Sequence, residues 1–206
     1  MSLFEAILQK YGTNEPILSS DISFRDYSKP WIYKQLNQLC DEGKLVRYEK
    51  GIYYIPIMTP FGISILNPTK VIEIKYISRN GEKMGYYSGL TFRNQLRLTN
   101  QVPNVIELYT NNETSRVRDV RVGTQRVLLR KARTEVTAAN ADVLSFLELM
   151  NDLEPKALDD EKKAILKKFI ADRKIARKDI TEYAPFFPDR ALRNLVESEV
   201  IYSVTQ

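Results

Sequence analysis

Apolar residues at the start of the chain recur at helical spacing. Leu3, Phe4, Ile7 and Leu8 stand at i, i+1, i+4 and i+5, which predicts a short helix with one apolar stripe, ended by Gly12 at its C-cap. Pro16 to Ile22 is short and mixed, with the length of a second helix or a small strand. Ser28 and Pro30 then supply a capping serine and a first-turn proline, and Ile32, Leu36, Leu39 and Cys40 give the helix that follows a buried face. After Asp41-Glu42-Gly43 the pattern turns strand-like. Lys44 to Tyr48 and Gly51 to Pro56 read as a hairpin turning at Glu49-Lys50-Gly51. The lone Trp31 is expected to pack against the first helix or this hairpin.

Pro60-Phe61-Gly62 and Asn67-Pro68 punctuate the chain and set a boundary near residues 57–68. Beyond it, Thr69 to Ile77 suits a helix or a strand, Met84 to Tyr87 a strand, Thr91 to Leu98 a short helix and Val105 to Thr110 a strand. Ser115 to Val122 and Arg126 to Arg130 form a hairpin around Gly123-Thr124. The remainder has helical spacing at residues 137–153, 159–175 and about 188–200, the last with Leu192, Leu195 and Val196 inward. The reading is α+β: a winged helix-turn-helix at residues 1–57, an α/β module at 58–153 and a helical region at 154–206.

A helix with a polar and basic start, a Leu-x-x-Leu core, a glycine and a basic hairpin resembles winged helix-turn-helix domains. The resemblance lies in Ile32, Leu36, Leu39, Gly43 and Leu45, followed by Tyr48, Gly51 and Tyr53. In such folds the third helix enters the major groove by its N-terminal part and the wing lies along the backbone or minor groove. The residues turned outward here are Lys29, Tyr33, Lys34 and Asn37 on the helix, with Arg47 and Lys50 on the wing. Lysines meet phosphates or guanine edges, and an asparagine pairs with adenine.

Composition narrows the chemistry. The chain of 206 residues is 43% hydrophobic and 28% charged, as in ordinary folded proteins. No run approaches the roughly 18 apolar residues of a membrane span, and the N-terminus lacks a basic region followed by an apolar core, so no membrane partner and a cytoplasmic location are expected. There is one cysteine, Cys40, and no histidine, which removes Ser-His-Asp and Cys-His nucleophilic systems and most transition-metal sites. An enzyme handling nucleic acid through Mg²⁺ would gather carboxylates. The middle third holds Glu73, Glu82, Glu107, Glu113, Asp119 and Glu135, none paired at metal-ligand spacing, and Ser88-Gly89 is its only turn reminiscent of a phosphate loop. Asp159-Asp160-Glu161 opens a predicted helix, where acids oppose the dipole. A non-enzymatic protein without cofactors is the expectation.

The net charge of +5 is unevenly placed. Lys and Arg number 7 against 7 acids in residues 1–60, 13 against 6 in 61–136, and 11 against 13 in 137–206. Nine arginines between Arg79 and Arg133 supply most of the central excess. Of these, Arg116, Arg118, Arg121 and Arg126 fall on the predicted hairpin and mark a second basic surface for a polyanion. The tyrosine pairs Tyr53-Tyr54 and Tyr86-Tyr87 suit base stacking in an RNA-binding alternative, but adjacent strand tyrosines more often put one ring in the core and one at the surface.

Several short segments in order carry a further resemblance: Gly51 to Pro56 (Gly-x-Tyr-Tyr-x-Pro), Tyr87 to Leu90, Thr99 to Pro103, Leu108 to Thr110 and the basic hairpin. Over roughly residues 1–155 the chain is similar to AbiEi-type antitoxins of type IV toxin-antitoxin systems. That resemblance implies a winged helix that binds operator DNA and represses its own operon, and a following domain that counteracts a nucleotidyltransferase-type toxin. It brings no catalytic residues. The chain departs from it in the electrically neutral N-terminal domain. The alternative is a winged helix serving as an RNA- or protein-binding module, and a nucleic-acid-processing enzyme stands behind that.

Overall fold

In the computed structural model, which describes residues 2–24 and 27–204, helix α1 (Leu3–Tyr11) is opened by a capping box. The Glu5 N–H donates to Ser2 Oγ at 3.2 Å and the Ser2 N–H to Glu5 Oε2 at 2.8 Å. Gly12, at φ +74° and ψ −164°, takes a positive-φ conformation that glycine adopts readily, and ends the helix. The mixed stretch after it is both strand and helix: β1 (Ile17–Leu18), then a 3₁₀ turn (Ser19–Asp21). Helix α2 (Lys29–Asp41) has Pro30 in its first turn. The Ser28 hydroxyl makes no capping hydrogen bond, contrary to expectation, because Pro30 removes one of the backbone N–H groups such a cap would receive.

Strands β2 (Val46–Glu49) and β3 (Ile52–Tyr54) pair antiparallel, and β1 joins the far edge of β3 to give the order β1-β3-β2. Leu3, Ile7, Ile32, Leu36, Leu45 and Tyr53 meet in the core beneath. This is a winged helix-turn-helix in which, among the described residues, the middle helix is reduced to the 3₁₀ turn. Two expectations fail inside it. Tyr53 and Tyr54 are both buried, the sheet being covered on either side. Trp31 turns away from the core and stacks on Tyr27, with ring centroids 4.2 Å apart and planes at 10°.

The chain divides into two compact units, Met1–Ile74 and Lys75–Gln206, so residues 58–74 group with the winged helix. They form a hairpin of β4 (Met58–Thr59) and β5 (Gly62–Ile63), then helix α3 (Pro68–Ile72). Polar bonds tie this segment down: Ser64 Oγ donates to Asn14 Oδ1 at 2.6 Å, Tyr54 Oη donates to the Ser64 carbonyl at 2.9 Å, and Lys70 pairs with Glu15. The hairpin tip carries Phe61, which is 99% exposed.

The division falls within the π-helical turn Glu73–Ile77. In unit 2, β6 (Ser78–Arg79) and β7 (Glu82–Lys83) close on Asn80-Gly81, both at positive φ as a tight hairpin turn demands. Strand β8 (Gly85–Tyr87), helix α4 (Gly89–Gln95) and strands β9 (Val105–Thr110), β10 (Val117–Val122) and β11 (Gln125–Lys131) follow. The sheet has the order β10-β11-β9-β8, with β9 and β11 parallel and the outer pairs antiparallel. Gly85 is required there, because a Cβ would strike the carbonyl oxygens of Tyr76 and Tyr109.

Helices α5 (Ala141–Asp152), α6 (Asp160–Asp172), α7 (Arg177–Tyr183) and α8 (Asp189–Glu197) complete the unit. Phe146, Leu147, Leu166, Phe169, Ala191 and Leu195 share one core with Tyr86 and Phe92, so the helices after residue 153 belong to the same unit as the sheet. In α8 the inward face is Ala191, Asn194, Leu195 and Ser198, which leaves the expected core residues Leu192 and Val196 at 40% and 55% exposure. Asn194 Nδ2 takes the inward place by donating to the carbonyls of Met150 and Leu153 at 2.8 and 2.7 Å, two groups that the end of α5 leaves unpaired. Among the described residues, no helix is long and apolar enough to cross a membrane.

Candidate functional site

The buried residues of α2, Ile32, Leu36 and Leu39, fix which side of the helix faces water. Lys29, Tyr33, Lys34 and Asn37 lie at i, i+4, i+5 and i+8 on that side and all four are exposed. The two ends of α2 differ. Towards its C-terminus the polar side chains are tied to one another: Gln35 Nε2 donates to Gln38 Oε1 at 3.3 Å, Gln38 Nε2 to Glu42 Oε1 at 2.9 Å, and Lys44 pairs with Glu42 at 2.8 Å. The Lys44 bond first, then that of Gln38, holds the Glu42 carboxyl below the usual carboxylate range. Lys29, Tyr33 and Lys34 in the first half of the helix, and Asn37 beyond its middle, make no ion pairs or hydrogen bonds with their side chains. On the wing, Arg47 and Lys50 are exposed and equally unengaged, and Gly51, at φ +81°, turns β2 into β3 beside Lys50. All six residues singled out in unit 1 are therefore available to a partner.

The four arginines singled out at the β10–β11 hairpin are exposed too, but two of them are engaged. Arg118 Nε lies 2.7 Å from Glu113 Oε2, and Arg126 pairs with Asp119. These contacts hold Asp119 below its ordinary pKa and Arg126 above, with the mutual hydrogen bond as the leading cause. Arg116 and Arg121 make no ion pair or hydrogen bond among the described residues, although the Arg121 charge also helps to lower Asp119. Arg121 sits opposite Arg126 in the strand register, so the two cations stand side by side, with Asp119 bonded to Arg126 alone.

One feature of unit 2 was not anticipated from the sequence, a charged cleft of about 560 Å³ between the sheet and α5. Strand register places Glu107 and Tyr109 of β9 beside Leu128 and Arg130 of β11, on the face that α5 covers. Glu148 projects from α5 with its side chain only 4% exposed. It accepts two hydrogen bonds from Arg133, Nε at 2.8 Å and Nη2 at 3.1 Å, and a third from Tyr109 Oη at 3.0 Å. The hydrogen bond to Glu148 raises the Arg133 guanidinium further above its ordinary pKa; burial, then the Glu148 charge, push the Tyr109 hydroxyl well up. Tyr86 stacks on Tyr109 at 5.4 Å and its hydroxyl, raised by burial, finds no partner.

At the mouth, Glu107 lies against the start of α4: the Leu90 N–H reaches Glu107 Oε1 at 3.4 Å, and Gly89, at φ +55°, leaves room that any Cβ would take from the carboxylate. Asp152, at the end of α5, is raised by burial and by the nearby Glu148 charge. Glu107 of β9 thus shares one cleft with Glu148 and Asp152 of α5, although the two elements are far apart in sequence. Even so, no group of three Cys, Asp or Glu side chains among the described residues is placed to hold a metal ion. A sequence signal existed for Glu148 alone, the single charge in the run Val143 to Met150, every member of which is buried.

Across residues 15–178, spanning most of both units, the sequence matches the family of unknown function DUF6088. No curated protein matches it.

Proposed function

The chain belongs to the DUF6088 family, and from that footing we propose that it is a DNA-binding autorepressor that also serves as antitoxin to a nucleotidyltransferase-type toxin. The observation that carries the DNA half is the exposed side of α2, where Lys29, Tyr33, Lys34 and Asn37 are unengaged. Lys29, Tyr33 and Lys34 lie in the N-terminal part of the helix, the part that helix-turn-helix proteins place against base edges. Arg47 and Lys50 supply backbone contacts from the wing. The neutral charge count of this region does not oppose the reading, since its acids at Asp41 and Glu42 stand at the other end of the helix. The antitoxin half is supported by the resemblance to AbiEi-type antitoxins. The protein works in the cytoplasm, where its DNA is, without cofactor or catalysis.

The test is a gel-shift titration of the full chain against the DNA upstream of its own gene, with an unrelated duplex of equal length as competitor, at two salt concentrations. Selective retardation that weakens with salt is the expected result, with a logarithmic slope of about −0.9 per phosphate neutralised. Equal binding to both duplexes, or binding indifferent to salt, overturns the proposal in favour of an RNA- or protein-binding module. Co-expression with the nucleotidyltransferase-type toxin that the proposal requires tests the second half: restored growth is expected, and unrelieved toxicity removes the antitoxin role.

A further inference from the structure

The cleft of unit 2 combines charges in a way that internal packing does not explain. Arg116, Arg130, Lys131 and Arg133 line it against Glu107, Glu148 and Asp152. Arg133 is committed to Glu148, and Arg130 reaches Glu107 only at 3.5 Å. Arg116 and Lys131 have no ion pair or hydrogen bond among the described residues. Ser88 also lines the cleft, is 4% exposed, and its Oγ is buried without a partner. A buried hydroxyl left so is unfavourable unless something else meets it.

The two kinds of unmet group specify a ligand with two kinds of surface. Two unpaired cations suit a phosphate monoester, which carries close to two negative charges at neutral pH. Carboxylates at the same mouth repel a bare anion, but they accept hydrogen bonds from hydroxyl groups. The volume falls within the range of about 300–1,000 Å³ usual for small-molecule sites and exceeds what inorganic phosphate fills. We propose that this cleft binds a phosphate monoester carried on a sugar, with Arg116 and Lys131 on the phosphate oxygens and Ser88 Oγ, Glu107 and Asp152 on the sugar hydroxyls. A free sugar phosphate and a nucleoside monophosphate share this chemistry. The site lies wholly within unit 2 and does not depend on the DNA-binding reading.

Calorimetric titration of the full chain with inorganic phosphate, ribose 5-phosphate and GMP tests it. Saturable one-to-one binding of ribose 5-phosphate, GMP or both is expected, with inorganic phosphate weaker by at least about tenfold. GMP binding alone assigns the site to a nucleotide, and comparable binding of both assigns it to the sugar phosphate they share. Arg116→Ala and Lys131→Ala should each weaken binding by about tenfold or more, the scale of one charge-assisted hydrogen bond. Both residues are unpaired, so the unliganded variants should melt with the wild type, which separates lost binding from lost folding. No heat of binding with any of the three at millimolar concentration overturns the proposal. So does equal affinity for all three, or affinity untouched by both substitutions.

Discussion

Unit 1 is neutral by count over its first sixty residues yet presents free cations, whereas the middle of the chain is strongly basic yet spends much of its charge internally. Lys29, Lys34, Arg47 and Lys50 meet no acid among the described residues. Arg118, Arg126, Arg130 and Arg133 each meet one, at Glu113, Asp119, Glu107 and Glu148. Net charge therefore overstates how much of the middle region's excess is open to a polyanion. What counts is which cations can exchange water and counterions for phosphate without first breaking a bond to the protein. Removal of an engaged cation should register in stability, and removal of a free one in affinity.

The largest effect is expected inside unit 2. Arg133→Ala leaves the Glu148 carboxylate buried with Tyr109 as its main remaining donor, and should destabilise the protein by about 3–5 kcal/mol in denaturant unfolding. A change below about 1 kcal/mol would place this pair with ordinary surface ion pairs and erase the contrast. Lys34→Glu comes next. It should weaken operator binding by at least about tenfold while leaving the unfolding midpoint in place; a matching loss of stability would mean that Lys34 is engaged after all. Lys50→Ala is gentler, weakening binding to all duplexes alike and reducing the salt slope by about one.

Alkaline pH offers a smaller test. The folded Tyr109 hydroxyl has its pKa raised, by burial first and then by Glu148, so its contribution to stability is whole below the unfolded value of about 10 and is lost as pH rises beyond it. Tyr109→Phe should flatten the loss of stability above about pH 10, measured as the unfolding midpoint against pH. An unchanged profile would assign the alkaline loss to other groups. The smallest expected effect is at Arg126→Ala, whose exposed pair with Asp119 should be worth no more than about 1 kcal/mol.

The sequence carried the elements whose hydrophobic period is long and regular. Ile32, Leu36 and Leu39 alone orient α2, and through it Lys29, Tyr33, Lys34 and Asn37, so the candidate DNA face was readable. Short elements held by tertiary contact were not: β4 and β5 are two residues each, and their segment is fixed by Asn14, about fifty positions earlier. In α8 the error came from ranking residues by hydrophobicity, where Asn194 won the inward place by serving the carbonyls at the end of α5. The charged cleft was out of reach for a related reason. Its carboxylates come from β9 and α5, and only the parallel pairing of β9 with β11 and the docking of α5 bring them together.

The Arg133, Glu148 and Tyr109 cluster also shapes how this chain can change over generations. Loss of Arg133 alone leaves Glu148 buried without its counter-ion and is steeply unfavourable, whereas loss of Glu148 alone leaves a guanidinium that still reaches solvent, and joint replacement by apolar side chains of similar volume is often close to neutral. The route to an apolar alternative is therefore ordered, so descendants of this sequence should lose Glu148 before or together with Arg133, and not Arg133 first.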